Sequence, residues 1–572
     1  MAERAGKRAS PTPALLLNGI PVQPGKATAD VFASTFAAIY RVDDGRKPDV
    51  PPPRPGVSFN RFSFNELSVR DALVRLQPKL SAGPSGLPPY LFSKLTPALV
   101  RPLTLLFDIT TASLSPPNQF LDSIVRPIFK RKGSRSSPTN YRAVGNVDPG
   151  AKIFESVISR QLASNVETNN LFHHSQHGFR KCRSRETNIL CRIDYASRQI
   201  DIGNTVASVF TDFKSAFDVF SHEKLFLRLQ SLGIGGPALA LLRNFLPCRA
   251  SSVRIGPHTS DSFPLLSGGI QGSSLSPWLY LAYTDLLLRE ISATGVQCFA
   301  YADDLVLLGT SADNFASLKR ALAVLERFNE EFGMSLCPSK CSVLTQGPGP
   351  APTLHLGGVP LPAVPPEGHK DLGFTVCPST DFDRHIALLV SKARSKLSFI
   401  FRTIRTKNKE ALIFAFKTYV RSILESGSVV IGGASKSSIL AIEKVQRRFT
   451  YLLYRRCEMR NRHHVTRAEK LDLSSISSRM LVSDLCFIHG CHTGRLKCPP
   501  VNTRAAEGPV GRYPQSRPHR ITPDRDPSAF RLSFLPNRAA DAWNSLSCHT
   551  VQLKSTAFRE HCENVFLSYR YD

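Results

Sequence analysis

The chain has 572 residues, with 73 Lys plus Arg against 45 Asp plus Glu and a formal net charge of +28. A hydrophobic share of 42% supports packed cores and excludes a disordered polycation. No run reaches the ~18–20 apolar residues of a membrane helix. Residues 1–30 carry charges and prolines rather than a secretory core. The 13 Cys are scattered and odd in number. The expectation is an intracellular chain with mostly reduced thiols and a polyanionic partner, nucleic acid first.

Residues 1–63 are rich in Pro, Gly and Ala and read as a linker or N-terminal extension, with one apolar patch, DVFASTFAAIY, of helical character. NELSVRDALVRLQPKL opens on Asn65 as a helix cap and repeats apolar residues at helical spacing. A second helix is expected over residues 99–113. SIVRPIFKRKG reads as a strand running into a basic turn, and AKIFESVISRQLASNVE as a helix. The β-rich, apolar run from Val206 to Thr211 predicts a buried strand with Asp212 at its end. Helices follow through Phe245, then a hairpin from SSVRIG and SDSFPLLSGG, then the apolar helix SPWLYLAYTDLLLREI.

CFAYADDLVLLGTSADN predicts two short strands, Val296 to Tyr301 and Leu305 to Leu308, with Ala302, Asp303 and Asp304 at the turn between them. Two adjacent carboxylates inside an apolar run repel each other and lose solvation. A cation would offset both costs. A strand-end carboxylate, Asp212, beside a hairpin-tip pair makes a cluster of hard oxygen donors suited to Mg²⁺. Two such ions, with Mn²⁺ as a substitute, support in-line phosphoryl transfer.

At these residues the sequence resembles a known family. FAYADD is similar to the catalytic hairpin of reverse transcriptases, and TDFKSAFD to their first metal-binding strand. SGGIQGSSLSP, GMSLCPSKC and HKDLGF follow in the family's order. RPIFKRKGSRSSPTNYRAVGNVDPGAKIFESVISRQL and SQHGFRKCRSRETNIL resemble the upstream segments of non-LTR (LINE-type, Jockey/chicken-repeat-like) retrotransposon polymerases. The resemblance covers about residues 60–570. It implies an α+β right-hand polymerase: fingers, a palm with an antiparallel sheet, a helical thumb, and a small, mainly helical C-terminal region. The expected divisions are 1–63 extension, 64–376 fingers and palm, 377–470 basic thumb and 471–572 C-terminal region with a Pro/Arg-rich loop and terminal helix.

The resemblance also implies roles. Asp212 and Asp303 match the two metal-binding carboxylates, Asp304 a weaker ligand, and the Phe213 carbonyl an extra one. Phe217 matches an aromatic gate against a ribose 2′-OH. Gln271 and Gly272 match the segment lining nucleotide and template, although GGIQG has Ile270 where the family has proline. Lys340 matches a lysine that protonates pyrophosphate. Arg142 matches a triphosphate-gripping arginine, assisted by Lys130. NYRAV has Ala143 where proline is usual. Arg180 falls in a template-contacting segment.

The helix EKVQRRFTYLLYRR places Arg447, Arg448, Arg455 and Arg456 on a basic face suited to a phosphate backbone. Cys486, His489, Cys491, His492 and Cys498 fit no zinc-finger or ribbon spacing, and a buried helix explains them better. The functional expectation is an RNA-directed DNA polymerase working on an RNA template, a DNA primer or target and dNTPs, in a nuclear or cytoplasmic ribonucleoprotein. The alternative is a catalytically silent nucleic-acid-binding remnant. Family members usually carry an upstream endonuclease. The residues before the fingers are too few for one, which leads to the expectation of a separate endonuclease as partner.

Overall fold

The computed structural model describes residues 14–17, 19–460, 463–501, 519–524 and 528–567. The architecture is α+β. Its centre is a four-stranded antiparallel sheet, ordered Ser342–Gln346, Val206–Thr211, Asp304–Thr310, Gln297–Tyr301. Every residue of the Val206–Thr211 strand is buried, as its unbroken apolar run requires of a central strand covered on both faces. Alternation sorts the faces. Ala207, Val209, Leu305, Leu307 and Val343 enter the largest core, which holds the apolar helix Ser276–Ala293 and the helix Ala316–Phe332. Val206, Phe210, Val306, Leu308 and Leu344 form a smaller core on the opposite face with Ala196 of the helix Arg185–Asp201.

A second sheet precedes and interrupts the first in sequence. Strand Asp122–Phe129 pairs antiparallel with Tyr141–Val147 and parallel with Ala250–Ile255. The hairpin expected from SSVRIG and SDSFPLLSGG is part of this sheet, because Ala250–Ile255 also pairs antiparallel with His258–Thr259 and Phe263–Pro264. The helix Glu66–Arg75 starts at Asn65, whose side chain accepts the Ser68 N–H while the Ser68 hydroxyl accepts the Asn65 N–H. That reciprocal cap satisfies two donors the first helical turn leaves orphaned.

The segment read as linker or extension packs. Helix Lys26–Ala37 buries Phe32 and Phe36 in the main core, and Arg41 to Asp44 act as a clip. Arg41 donates to the Gly333 carbonyl (2.8 Å) and the Ser335 hydroxyl (3.1 Å), and Asp44 pairs with buried Lys224 (2.7 Å). A third core gathers the C-terminal helices Asp383–Thr403, Lys436–Arg456, Ile476–His492 and Ser555–Phe566 around Phe416, Phe449 and Trp543. Among the described residues, no helix is long and apolar enough to cross a membrane.

Candidate active site

The hairpin differs from expectation by one residue. Asp304 is not at the tip: it opens the strand and pairs with Tyr301, leaving a two-residue turn of Ala302 and Asp303. Ala302 adopts φ +59°, the left-handed backbone that such tight hairpins demand. Leu305 sits opposite Thr211, so the register carried one step on brings Asp304 beside Asp212. Past the strand end, Cys337 N–H donates to the Asp212 carbonyl (2.9 Å) and Lys214 N–H to the Ser335 carbonyl (2.8 Å). These bonds bridge Phe213 to Leu336 without using the Phe213 carbonyl.

The two hairpin carboxylates sense the charges around them. Burial pushes the Asp303 carboxyl above the usual range, Asp212 adds to it, and Arg142 opposes it. Asp304 keeps an exposed edge, yet its packed surroundings, then the charges of Asp303, Asp371 and Asp212, push it up to about 7. Asp371 lies behind the hairpin in a buried ion pair with Arg192 (2.5 Å). Lys340 Nζ stands 3.2 Å from Asp212 Oδ1. Among the described residues, no three His, Cys, Asp or Glu side chains are grouped to hold a metal ion. The donors on offer here are the carboxylates of Asp212, Asp303 and Asp304 and nearby backbone carbonyls. They are all oxygen and short of positive charge, which fits a hard divalent cation completed by substrate oxygens.

Opposite the acids are the cations. Arg142 and Lys130 are exposed. Partial desolvation by its neighbours lowers the Lys130 ammonium below its usual value although the residue is exposed, and the charges of Arg142 and Lys340 add to that. Lys130 therefore lies within reach of both of those charges. Lys130 also donates to the Thr139 carbonyl (2.9 Å).

Phe217 is half-buried, with its ring 4.6 Å from Tyr280 and edge-on to Phe179 at 6.3 Å. Gln271 Nε2 lies 3.2 Å from each oxygen of Asp218, a buried carboxyl raised to about 6 by desolvation and lowered somewhat by that hydrogen bond. Gly272, at φ +130°, passes so close to the Gly145 carbonyl that a Cβ would lie 2.2 Å from its oxygen. One departure from the family pattern, Ile270, has a partner across the fold. Ile270 fills the space above Gly145, where a Cβ would meet Ile270 Cγ2 at 2.2 Å, and Gly145 N–H donates to the Gln271 carbonyl (2.8 Å). Glu155, fully buried, anchors the same loop through the Ser273 hydroxyl and Ser274 N–H (both 2.7 Å).

The arginines expected to contact nucleic acid lie in different settings. Arg180 is turned inward: Nε donates to Glu167 (2.7 Å) and Nη1 to the His173 carbonyl (2.8 Å), with the side chain 5% exposed. Its fork is committed to an internal pair. Arg456 donates to the carbonyls of Ile404 and Phe401 (2.8 Å each), capping the end of the Asp383–Thr403 helix. Arg447 is half-buried. The exposed stripe is Lys444, Arg448, Tyr451 and Arg455, at helical spacing, with Arg448 over the Tyr451 ring at 5.3 Å. In the Cys/His segment, His489 hydrogen-bonds the Leu553 carbonyl (3.0 Å) and stacks on Phe558, while Cys498 is buried against Thr187.

Sequence reasoning missed Asp218, Glu155, Phe179 and Gln176. Phe179 carried a faint signal as an aromatic in a basic stretch: it is 58% exposed and sits at φ +54° beside Phe217. The others depend on partners distant in sequence.

A strand-end carboxylate, Asp212, thus lies beside the hairpin carboxylates, with Lys340 on Asp212 and the charge of Arg142 acting on Asp303. Residues 129–376, a stretch that holds all three acids, match the family model Reverse transcriptase (RNA-dependent DNA polymerase). The chain is 23% identical over 400 residues to a probable RNA-directed DNA polymerase from transposon X-element of Drosophila melanogaster, covering 68% of this chain and 44% of the relative. It is 28% identical over 253 residues to the Pol polyprotein of the type-1 retrotransposable element R2 of Popillia japonica, covering 41% and 35%. It is 24% identical over 392 residues to the RNA-directed DNA polymerase from mobile element jockey of Drosophila melanogaster, covering 66% and 42%. The chain spans less than half the length of each of these relatives.

Proposed function

We propose that the chain is an RNA-directed DNA polymerase of a non-LTR retrotransposon, extending a DNA 3′-OH on an RNA template with dNTPs. The observation that carries the reading is the meeting of Asp212, Asp303 and Lys340 with the cations Arg142 and Lys130 inside the stretch matched by the reverse transcriptase family model. Asp212, Asp303 and the Phe213 carbonyl would hold the metal, with Asp304 as the weaker ligand. Two bound Mg²⁺ ions would make the 3′-OH a better nucleophile and stabilise the leaving pyrophosphate, and Mn²⁺ would fit the same oxygens. Arg142, whose planar fork meets phosphate oxygens in pairs, grips the triphosphate with Lys130. Lys340 Nζ, 3.2 Å from Asp212, can turn to donate its proton to the departing pyrophosphate.

Phe217, braced from behind by Tyr280, closes the space a ribose 2′-OH would need. Gln271 is held by Asp218 and, with Gly272, forms a wall of the nucleotide site. In this reading residues 64–376 are fingers and palm, 377–470 the thumb, 1–63 an extension packed on them and 471–572 a C-terminal region. The stripe of Lys444, Arg448 and Arg455 tracks the backbone of the primer–template duplex through counterion release. A nuclear or cytoplasmic ribonucleoprotein is the setting that goes with this reading.

The test is Asp303→Asn. It removes a metal ligand and no phosphate contact, so primer extension on RNA is lost while primer–template affinity stays within a factor of about two. Full activity in that variant refutes the site.

A further inference from the structure

The two acids of the hairpin stand at the end of a strand ladder, where pairing stops at Tyr301 and Asp304. Their mutual repulsion works against a fixed turn, and Ala302 holds a left-handed backbone that is unfavourable for any residue with a Cβ. The turn is held from outside. Segment 175–178 lies along the outer edge of the hairpin: Ala300 N–H donates to the Ser175 carbonyl (2.9 Å) and His177 N–H to the Ala300 carbonyl (2.8 Å). This parallel bridge sets Gln176 opposite Ala300.

The Gln176 side chain is 97% buried, and it meets both backbone polar groups of Ala302. Its Oε1 accepts the Ala302 N–H (3.0 Å) and the Gly178 N–H (2.8 Å), and its Nε2 faces the Ala302 carbonyl at 3.4 Å. Gly178 permits the approach, since a Cβ there would fall 2.3 Å from the Ala302 nitrogen. Asn188 adds a bond to the Ala300 carbonyl (3.2 Å). A carboxamide suits this task because it offers an acceptor and a donor on one rigid plane.

We propose that Gln176 is a positioning residue of the active site: it fixes the left-handed turn at Ala302 and thereby the direction of Asp303 and Asp304. It acts through Ala302 and contacts neither substrate nor the acids themselves. Its catalytic consequence rests on the polymerase reading above, whereas its hold on the turn does not. The resemblance of SQHGFR to a template-contacting segment makes template contact the competing role, and the two roles move different observables.

The experiment compares the full-length wild type with Gln176→Leu, which keeps volume and removes both polar atoms, and Gln176→Glu, which keeps acceptors for both N–H groups. Amide hydrogen exchange over residues 299–305 is read without nucleic acid. Primer extension on RNA is read against a Mg²⁺ titration, and primer–template affinity separately. In the Leu variant, exchange at Ala302 accelerates, the Mg²⁺ midpoint rises, and kcat falls on the order of 10²-fold, the scale of a displacement of about 1 Å. Primer–template affinity is unchanged, and the Glu variant, which keeps the acceptors but loses the donor to the Ala302 carbonyl and adds a charge near the acids, exchanges at a rate between those of the wild type and the Leu variant.

If the Leu variant does not fold, Gln176→Asn, shorter by one methylene but polar, takes its place. Unchanged exchange and an unchanged Mg²⁺ midpoint in a folded variant overturn the proposal. So does a loss confined to primer–template affinity, which would make Gln176 a template contact. If the wild type itself extends no primer, the polymerase reading fails, and the exchange comparison still decides whether Gln176 holds the turn.

Discussion

The Gly145 and Ile270 pair gives a sharp quantitative test of how the nucleotide-site loop is seated. A Cβ at residue 145 would lie 2.2 Å from Ile270 Cγ2, against an ordinary carbon–carbon separation of ~3.5–4.0 Å. Gly145 has an ordinary negative φ, so Gly145→Ala brings no backbone penalty and isolates the collision. Ile270 is 3% exposed and has little room to retreat, so overpacking costs roughly 1–3 kcal/mol. The displaced loop carries Gln271 away from Asp218, and the KM for dNTP rises. Ile270→Ala alone costs about 2–5 kcal/mol through the cavity it leaves. In the Gly145→Ala background that cost drops by about the collision energy, because the new methyl enters the vacated space. The assay is urea unfolding of the four proteins of the cycle, with dNTP KM measured in parallel. Additive costs, agreeing within ~0.5 kcal/mol, would refute the claim that the two residues share one space.

Phe217→Ala opens space beneath the sugar and raises rNTP incorporation relative to dNTP; equal use of rNTPs and dNTPs by the wild type would rule out the gate. Changing Arg448 and Arg455 together to Gln weakens primer–template binding uniformly across sequences. It also lowers the slope of log affinity against log salt by about two charges' worth, whereas Arg456→Gln instead lowers thermal stability by freeing two helix-end carbonyls. His177 is buried against Thr187, and burial together with the Arg183 and Arg180 charges holds its imidazole down to about 3. Its folded pKa is below its unfolded value, so the unfolded chain takes up a proton first as pH falls below ~6.5. Stability therefore drops between about pH 6.5 and 3, by on the order of 1 kcal/mol per unit, and His177→Gln makes that acid limb shallower in pH-dependent melts. An unchanged limb would show that His177 titrates freely.

The elements legible in the sequence are those fixed by local pattern. The Val206–Thr211 strand follows from an unbroken β-rich apolar run, and the Glu66–Arg75 helix from a cap three residues before its partner. The order of the acids was equally plain, because Asp212, Asp303 and Asp304 each sit at the end of a recognisable strand or hairpin. What local pattern does not carry is the partner across the fold. Arg180 and Arg456 read as surface charges, and both are spent on internal acceptors, Glu167 in one case and two helix-end carbonyls in the other. Gln176 looks like an ordinary polar residue until the fold brings Ala302, 126 positions away, onto its carboxamide. Ile270 and Ala143 stand where the family has proline, a change that would loosen both turns. For Ile270, the absent side chain at Gly145 reverses that reading.

The central claim is that this chain copies RNA into DNA. The most direct measurement supplies the purified chain with a defined RNA, an annealed DNA primer, dNTPs and Mg²⁺, and sequences the product. The account predicts DNA complementary to the supplied RNA, joined to the primer's 3′ end and absent with Asp303→Asn. A chain that binds the hybrid tightly and makes no product with either Mg²⁺ or Mn²⁺ would contradict the account and mark a nucleic-acid-binding remnant.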